Sequence, residues 1–231
     1  MNRISKLSVA ALTLAMASAL GAQDGAIAVK DGGIKIAGWT GKIDANEEAQ
    51  GQKIENSRFA KDGDAILVTT GPQGVFWQTN ATASGNYTVS AKFHEPKFMN
   101  LMNHPHPYGL FFGGNDMGTA NQTYFYCAAY GSGNFIARGF GPAPFRLNGG
   151  RGEVNAAVNK AAGKDQPVTQ DIAIKVSSDK VECVINGTTV GTYDKAAVVG
   201  EGKLKSTDGV YGLRFGHNTE AHVVGLKLTK N

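Results

Sequence analysis

Alternation of apolar and polar side chains, repeated along most of the chain, is the feature that most limits its fold. In "YTVSAKF", Tyr87, Val89, Ala91 and Phe93 share one face, and Thr88, Ser90 and Lys92 the other. Successive strand residues point to opposite faces, so this period of two describes a half-buried strand. "DIAIKV" repeats it with Ile172, Ile174 and Val176, and "HVVGLKL" with Val224, Leu226 and Leu228. "KVECVINGTTV" reads as a hairpin with Val181, Cys183 and Ile185 inward. Its Asn186-Gly187 pair supplies the two positive-φ residues of a type I′ turn.

Four further segments, "YGLFF", "TYFYCAAY", "NFIARGF" and "VYGLRF", are apolar or aromatic on both faces. Such strands lie centrally or line a covered surface. Gly109, Gly139 and Gly212 interrupt them, which weakens a strand unless a bulge or a close approach requires it. Helical spacing of Val154, Ala157, Val158 and Ala161 predicts one short helix inside the long connection that follows Phe140. A connection this long often covers a site. Thirty-one glycines with 42% hydrophobic residues suit many short strands and tight turns. The expected fold is all-β, a two-sheet antiparallel jelly-roll sandwich with one short helix in a long loop.

The N-terminus reads differently. Arg3 and Lys6 precede an apolar run from Leu7 to Leu20, with small residues at Ala17-Ser18-Ala19 and Gly21-Ala22. This is the pattern of a secretory signal peptide, taken as residues 1–22, with the domain at 23–231. The run is shorter than the roughly 20 apolar residues of a spanning helix, so no membrane insertion is expected. The short Ala-rich leader fits a bacterial protein that is periplasmic or secreted. Without Arg3 and Lys6, 21 basic residues face 19 acidic ones. That balance argues for neither nucleic acid nor an anionic membrane as partner. Nothing in the sequence sets an oligomeric state.

The order of the pieces "YTVSAKFHEP", "PYGLFFGG", "TYFYCAAYGSGNFIARGF", "DIAIKVSSDKVECVINGTTVGTYD" and "DGVYGLRFGHNTEAHVVGLKL" resembles the concanavalin A-like lectin/glucanase superfamily, over roughly residues 30–230. Within it the chain looks most like the 3-keto-disaccharide hydrolase-like domain (DUF1080), where a Gly-x-x-x-Leu-Gln-x-His segment is similar to "GVYGLRFGHN". That family carries Asn-Ser-Gly leading to an arginine where this chain has Pro107-Tyr108-Gly109 and Gly113. It carries Tyr-Glu where this chain has "YFYCAAY". From its polar set the resemblance therefore transfers only His217, as an acid/base, and Arg214, as an electrostatic stabiliser. The meander that the resemblance implies places Cys127 and Cys183 three strands apart, about 14 Å at about 4.8 Å per strand. A disulfide allows about 7 Å between Cα atoms, so two free, buried thiols are expected.

The residues themselves suggest binding; the alternatives are a 3-keto-glycoside hydrolase or lyase and a cell-envelope interaction module without a small-molecule site. Glycoside cleavage generally needs two carboxylates about 5–10 Å apart flanking the bond. The Glu-x-Asp-x-x-Glu run of the superfamily's glucanases is missing, and Glu95 and Asp116 stand at strand ends. His104 and His106, two apart, could share a metal with Asp116 or His94. Each precedes a proline, which restricts it to extended or turn geometry, and the pair reads as a rigid lead-in to "YGLFF" rather than a metal site. Arg138 and Arg214 stand in nearly apolar strands, and an arginine there either pairs with an internal acid or lines an open face. Tyr124, Tyr126 and Tyr130 alternate onto one face, and aromatic rings with bidentate donors suit sugars. The expected carbohydrate or glycoside site combines Tyr124, Tyr126, Arg138 and Arg214 on the concave sheet. Its rim is His104, His106, Tyr108, Asn115, Asp116 and His217. No cofactor is expected, and Asn115-Asp116 and Asp62-Gly63-Asp64 are too sparse to decide for or against a structural Ca²⁺.

Overall fold

The computed structural model describes residues 25–141 and 143–231. The leader expected at residues 1–22 lies outside the described residues. The chain opens with β1 (Gly33–Ile34), β2 (Trp39–Ile43), the short helix α1 (Ala45–Ala49), β3 (Arg58–Asp62), β4 (Ala65–Thr69) and β5 (Gly74–Ala83). It continues through β6 (Tyr87–Glu95), β7 (Pro107–Asn115), β8 (Thr123–Tyr130), β9 (Asn134–Phe140), β10 (Pro144–Arg146) and β11 (Glu153–Val154). It closes with β12 (Val168–Val176), β13 (Lys180–Ile185), β14 (Thr188–Asp194), α2 (Lys195–Val198), β15 (Gly209–Phe215) and β16 (Glu220–Lys230).

The strands form two sheets, as a jelly-roll sandwich requires. A back sheet runs β1-β3-β4-β16-β6-β12-β13-β14, and a front sheet runs β10-β9-β8-β7-β15-β5-β2 with β11 also on β9. The core lies between them. Phe59, Phe93, Ile172 and Ile174 from the back sheet meet Phe76, Tyr108, Leu110, Phe125 and Phe215 from the front. The Phe93 and Tyr108 rings stack at 5.6 Å, and those of Phe59 and Phe76 at 5.0 Å. Alternation in β6 buries Tyr87, Val89, Ala91 and Phe93 as the sequence indicates. The Asn186-Gly187 turn has φ of 50° and 82°. Gly139 is a close-approach position, since the Phe145 ring occupies the space a Cβ would need.

Three expectations are corrected. Cys127 and Cys183 form a disulfide, with Cα atoms 5.9 Å apart. β8 and β13 belong to different sheets, because the chain changes sheet between β9 and β12, so the two cysteines face each other across the core. The segment around 153–162 is not helical; the short helices are α1 and α2. Its asparagines hold the backbone in turns: Asn155 Oδ1 accepts the Ala157 amide, and Asn159 is tied to Thr169 and Gln170. Asn side chains compete with helical hydrogen bonding in this way. In β16, Ala221 and Val223 face the core rather than Val224, and a register shift between Val224 and Lys227, at Gly225 (φ 68°), then turns Leu226 and Leu228 inward. A bulge changes which residues face inward in this way.

One charged group ends the inner row. Glu95 follows Tyr87, Val89, Ala91 and Phe93 on the same face and is buried. Burial pushes its carboxyl up to about 7, against a smaller downward pull from the Met99 amide and the Tyr108 hydroxyl.

Two outcomes are expected. A thiol reagent applied to the unfolded, unreduced protein should find no free cysteine, and reduction should lower stability by about 4 kcal/mol for a loop of 56 residues. Glu95 has a folded pKa above its ordinary 4.5. Its contribution is therefore complete below that value and is lost as pH rises through about 7. At about 1.4 kcal/mol per tenfold change in proton affinity, the loss is at most about 3 kcal/mol. Measured against Glu95→Gln at each pH, so that the opposite contribution of His106 cancels, the wild-type stability from denaturant midpoints should fall by this amount between pH 4 and 8.

Candidate functional site

The outward face of the front sheet carries the residues that alternation in β8, β9 and β15 turns away from the core. Val75, Trp77, Phe111, Tyr124, Tyr126 and Ile136 form a second apolar cluster there, with Tyr130 and Phe140 at its margin. Arg214 sits among them, 3% exposed. Its guanidinium makes a two-pronged pair with Asp44: Nη1 to Oδ1, and Nη2 to Oδ2 at 2.7 Å. Nη1 also donates to the Tyr124 hydroxyl at 3.1 Å. The guanidinium carbon lies 5.2 Å from the centre of the Tyr126 ring and 5.5 Å from that of Phe140. The internal-pair alternative for Arg214 therefore holds. Its Nη donors are taken up by Asp44, Tyr124 and Gln73, and Tyr124 and Tyr126 are buried with it.

Asp44 immediately precedes α1, and the same short helix brings Glu47, also buried, to His217. Glu47 Oε1 lies 3.5 Å from His217 Nδ1. His217 follows β15 through Gly216, where a Cβ would meet Pro107 Cδ at 2.8 Å and His106 Cβ at 2.9 Å. That close approach sets His217 against the lead-in to β7. The His106 and His217 rings are 3.9 Å apart, and those of His104 and His106 are 4.4 Å apart. One nitrogen from each of the three histidines lies within 4.8 Å of the others. Burial, reinforced by His217 and His104, pushes the His106 imidazole down to about 3, so it is neutral at physiological pH.

Beside this cluster opens a cleft of about 700 Å³, between the ends of β8 and β9 and the 146–151 segment. His104, Tyr130, Asn134, Arg138, Arg146 and Arg151 line it, and among the described residues no carboxylate joins the lining. Arg138 Nη2 donates to the Gly150 carbonyl at 3.2 Å, while its buried Nε has no hydrogen-bond partner among the described residues. Burial, more than the neighbouring charges, pushes the Tyr130 hydroxyl up to about 12, so it remains a donor. A smaller cleft of about 330 Å³, lined by Asp44, Asn46, Gln122, Tyr124 and Phe140, opens toward the other ends of β8 and β9.

The expected site is thus divided. His104, His106 and His217 come together, and Arg138 joins His104 in the larger cleft. Tyr108 is not on the rim: it faces the sheet-to-sheet core and is fully buried, because it shares the phase of Leu110 and Phe112. Asn115 and Asp116 stand at the far end of β7, about 27 Å from the histidines by strand rise. Asn115 donates to the Gly113 and Asp208 carbonyls, and Asp116 pairs with Lys205. The second Ca²⁺ candidate is engaged as well, with Asp62 2.8 Å from His222 Nε2. Glu47, Arg146 and Arg151 were missed. The long connection after Phe140 was the available signal for the two arginines; Glu47 had none.

No protein-family model and no curated protein sequence matches the chain. Solved structures do. A carbohydrate-binding module, CBM66, from Bacillus subtilis is 10% identical with a TM-score of 0.54, covering 86% of this chain and 99% of its own. A Bacillus subtilis protein of unknown function with a galectin-like fold is 13% identical at 0.55, covering 83% and 89%. The endo-β-1,3-glucanase of Pyrococcus furiosus is 12% identical at 0.50, covering 87% and 91%. The chain has the concanavalin A-like jelly-roll fold that these structures share.

Removing one partner of a buried pair leaves an uncompensated charge. Asp44→Ala should therefore cost about 3–5 kcal/mol in urea unfolding. Asp116→Ala, which breaks an exposed pair, should cost less than about 1 kcal/mol.

Proposed function

We propose that the protein is an exported saccharide-binding β-sandwich whose ligand carries acidic groups and lies in the cleft of Tyr130, Arg138, Arg146 and Arg151. The observation that carries this reading is the composition of that cleft: three guanidiniums, a tyrosine and an amide, with no carboxylate in the lining. Guanidiniums bind carboxylate and sulfate oxygens with paired N–H donors, and an aromatic ring supplies a surface for sugar C–H groups. The saccharide class is supported by the fold, which the chain shares with a carbohydrate-binding module and a glucanase. Export is supported by the Cys127–Cys183 disulfide, which suits an oxidising compartment such as the periplasm.

The cleft supports binding over hydrolysis. A two-carboxylate mechanism needs an acid and a base or nucleophile beside the bond, and the lining supplies neither. The alternative carried by the 3-keto-glycoside hydrolase resemblance rests on His217 with Glu47 at its Nδ1. It would show as turnover that His217→Ala abolishes.

Thermal unfolding across a panel of uronate-bearing, sulfated and neutral oligosaccharides tests the reading. A ligand at about a hundred times its Kd stabilises by about 2.7 kcal/mol. Acidic members should raise the melting temperature and neutral ones of equal length should not, and Arg151→Ala should remove the effect. A shift with neutral sugars alone, or one unchanged in Arg151→Ala, contradicts the proposed ligand.

A further inference from the structure

We propose that His104, His106 and His217 form a binding site for one divalent transition-metal ion of the Zn²⁺ kind, with Glu47 orienting His217. The proposal does not depend on the saccharide reading. Three observations carry it. One nitrogen of each ring already lies within 4.8 Å of the other two, although the residues come from two segments far apart in the chain. His106 Nε2 is buried with no hydrogen-bond partner among the described residues, an orphaned polar atom that coordination would satisfy. Glu47, buried at 3.5 Å from His217 Nδ1, forms the carboxylate–histidine arrangement that fixes ring orientation in metal sites.

The donor set selects the ion. Imidazole nitrogens suit Zn²⁺, Cu²⁺, Fe²⁺ and Ni²⁺, whereas Ca²⁺ and Mg²⁺ take oxygen ligands. Zn²⁺ binds histidine nitrogen at about 2.0–2.1 Å, which brings three tetrahedral ligands to about 3.3 Å from one another. His104, the exposed member, has room for the movement that this contraction requires. In the bound form His217 coordinates through Nε2, because Glu47 occupies its Nδ1 side, and His104 does so because Asn103 Oδ1 lies 2.9 Å from its Nδ1. Three protein ligands leave at least one position open, as in catalytic rather than structural zinc sites. His104 also lines the arginine cleft, so the ion would sit beside whatever the cleft holds. A carboxylate or a pair of hydroxyls is the ligand chemistry that would fill the open position.

The purified protein, stripped with a chelator, is titrated with Zn²⁺ alone by calorimetry and with Co²⁺ alone by visible absorption. We expect one equivalent per chain, with the absorption bands of tetrahedral nitrogen-bound Co²⁺. His104→Ala, an exposed change that spares the fold, should weaken Zn²⁺ at least tenfold, as should His106→Ala. Glu47→Gln should weaken it about tenfold while circular dichroism stays unchanged. His94 and His222, whose rings are 6.3 Å apart in the back sheet, supply the control, and His222→Ala should leave binding as it was. Three results would overturn the proposal: no saturable binding by the wild type, affinity unchanged in His104→Ala, or affinity lost in His222→Ala. A failure here with intact binding of an acidic saccharide would leave the cleft reading standing.

Discussion

The pair between Asp44 and Arg214 organises the outward face of the front sheet. β15 places a guanidinium in an apolar, aromatic surface, where an unpaired charge would be costly. Asp44 answers it with both oxygens, and in doing so docks α1 onto the outward face of the front sheet. Two consequences follow. Tyr124 and Tyr126 become part of a second small core rather than an open platform. Glu47, three residues beyond Asp44, comes to rest beside His217, three residues beyond Arg214. One buried ion pair thus covers the middle of the sheet and orders the group at its end.

The open ground of this face therefore shifts along the sheet. Where α1 stops covering, the ends of β8 and β9 and the 146–151 segment enclose the larger cleft. Its arginines come from different contexts: Arg138 from a strand, Arg146 from the edge pairing of β10, and Arg151 from a glycine-rich turn. The histidine cluster adjoins it through His104. A positively charged, aromatic cleft beside three converging imidazoles is a constellation built from four separate stretches of chain.

Period-two alternation made much of this legible. It identified the inward rows of β6, β12 and β13, the Asn186-Gly187 turn, and the shared face of Tyr124, Tyr126 and Tyr130. Alternation tells which side of a strand a residue faces, but not which sheet the strand joins. The single meander that the resemblance implies for Cys127 and Cys183 therefore has no check in alternation, and the two oppose each other across two sheets. Tyr108 was assigned to the rim by its neighbours in sequence, although its phase with Leu110 puts it inside. Asn115 and Asp116 failed for a related reason: a nine-residue strand carries its two ends to opposite edges of the sandwich. His104 and His106 were recognised as a pair, but their third partner arrives only through the packing of Gly216 against Pro107.

Ligand should enter at the arginine end of the front sheet and not in the smaller cleft at the other ends of β8 and β9. Amide and side-chain NMR shifts, recorded while a uronate-bearing oligosaccharide is added, test it directly. The account requires the changes to centre on Tyr130, Asn134, Arg138 and Gly150, with His104 at their margin and Tyr124 unaffected. Changes centred on Asn46, Gln122, Tyr124 and Gly141 would place the ligand in the smaller cleft and contradict it.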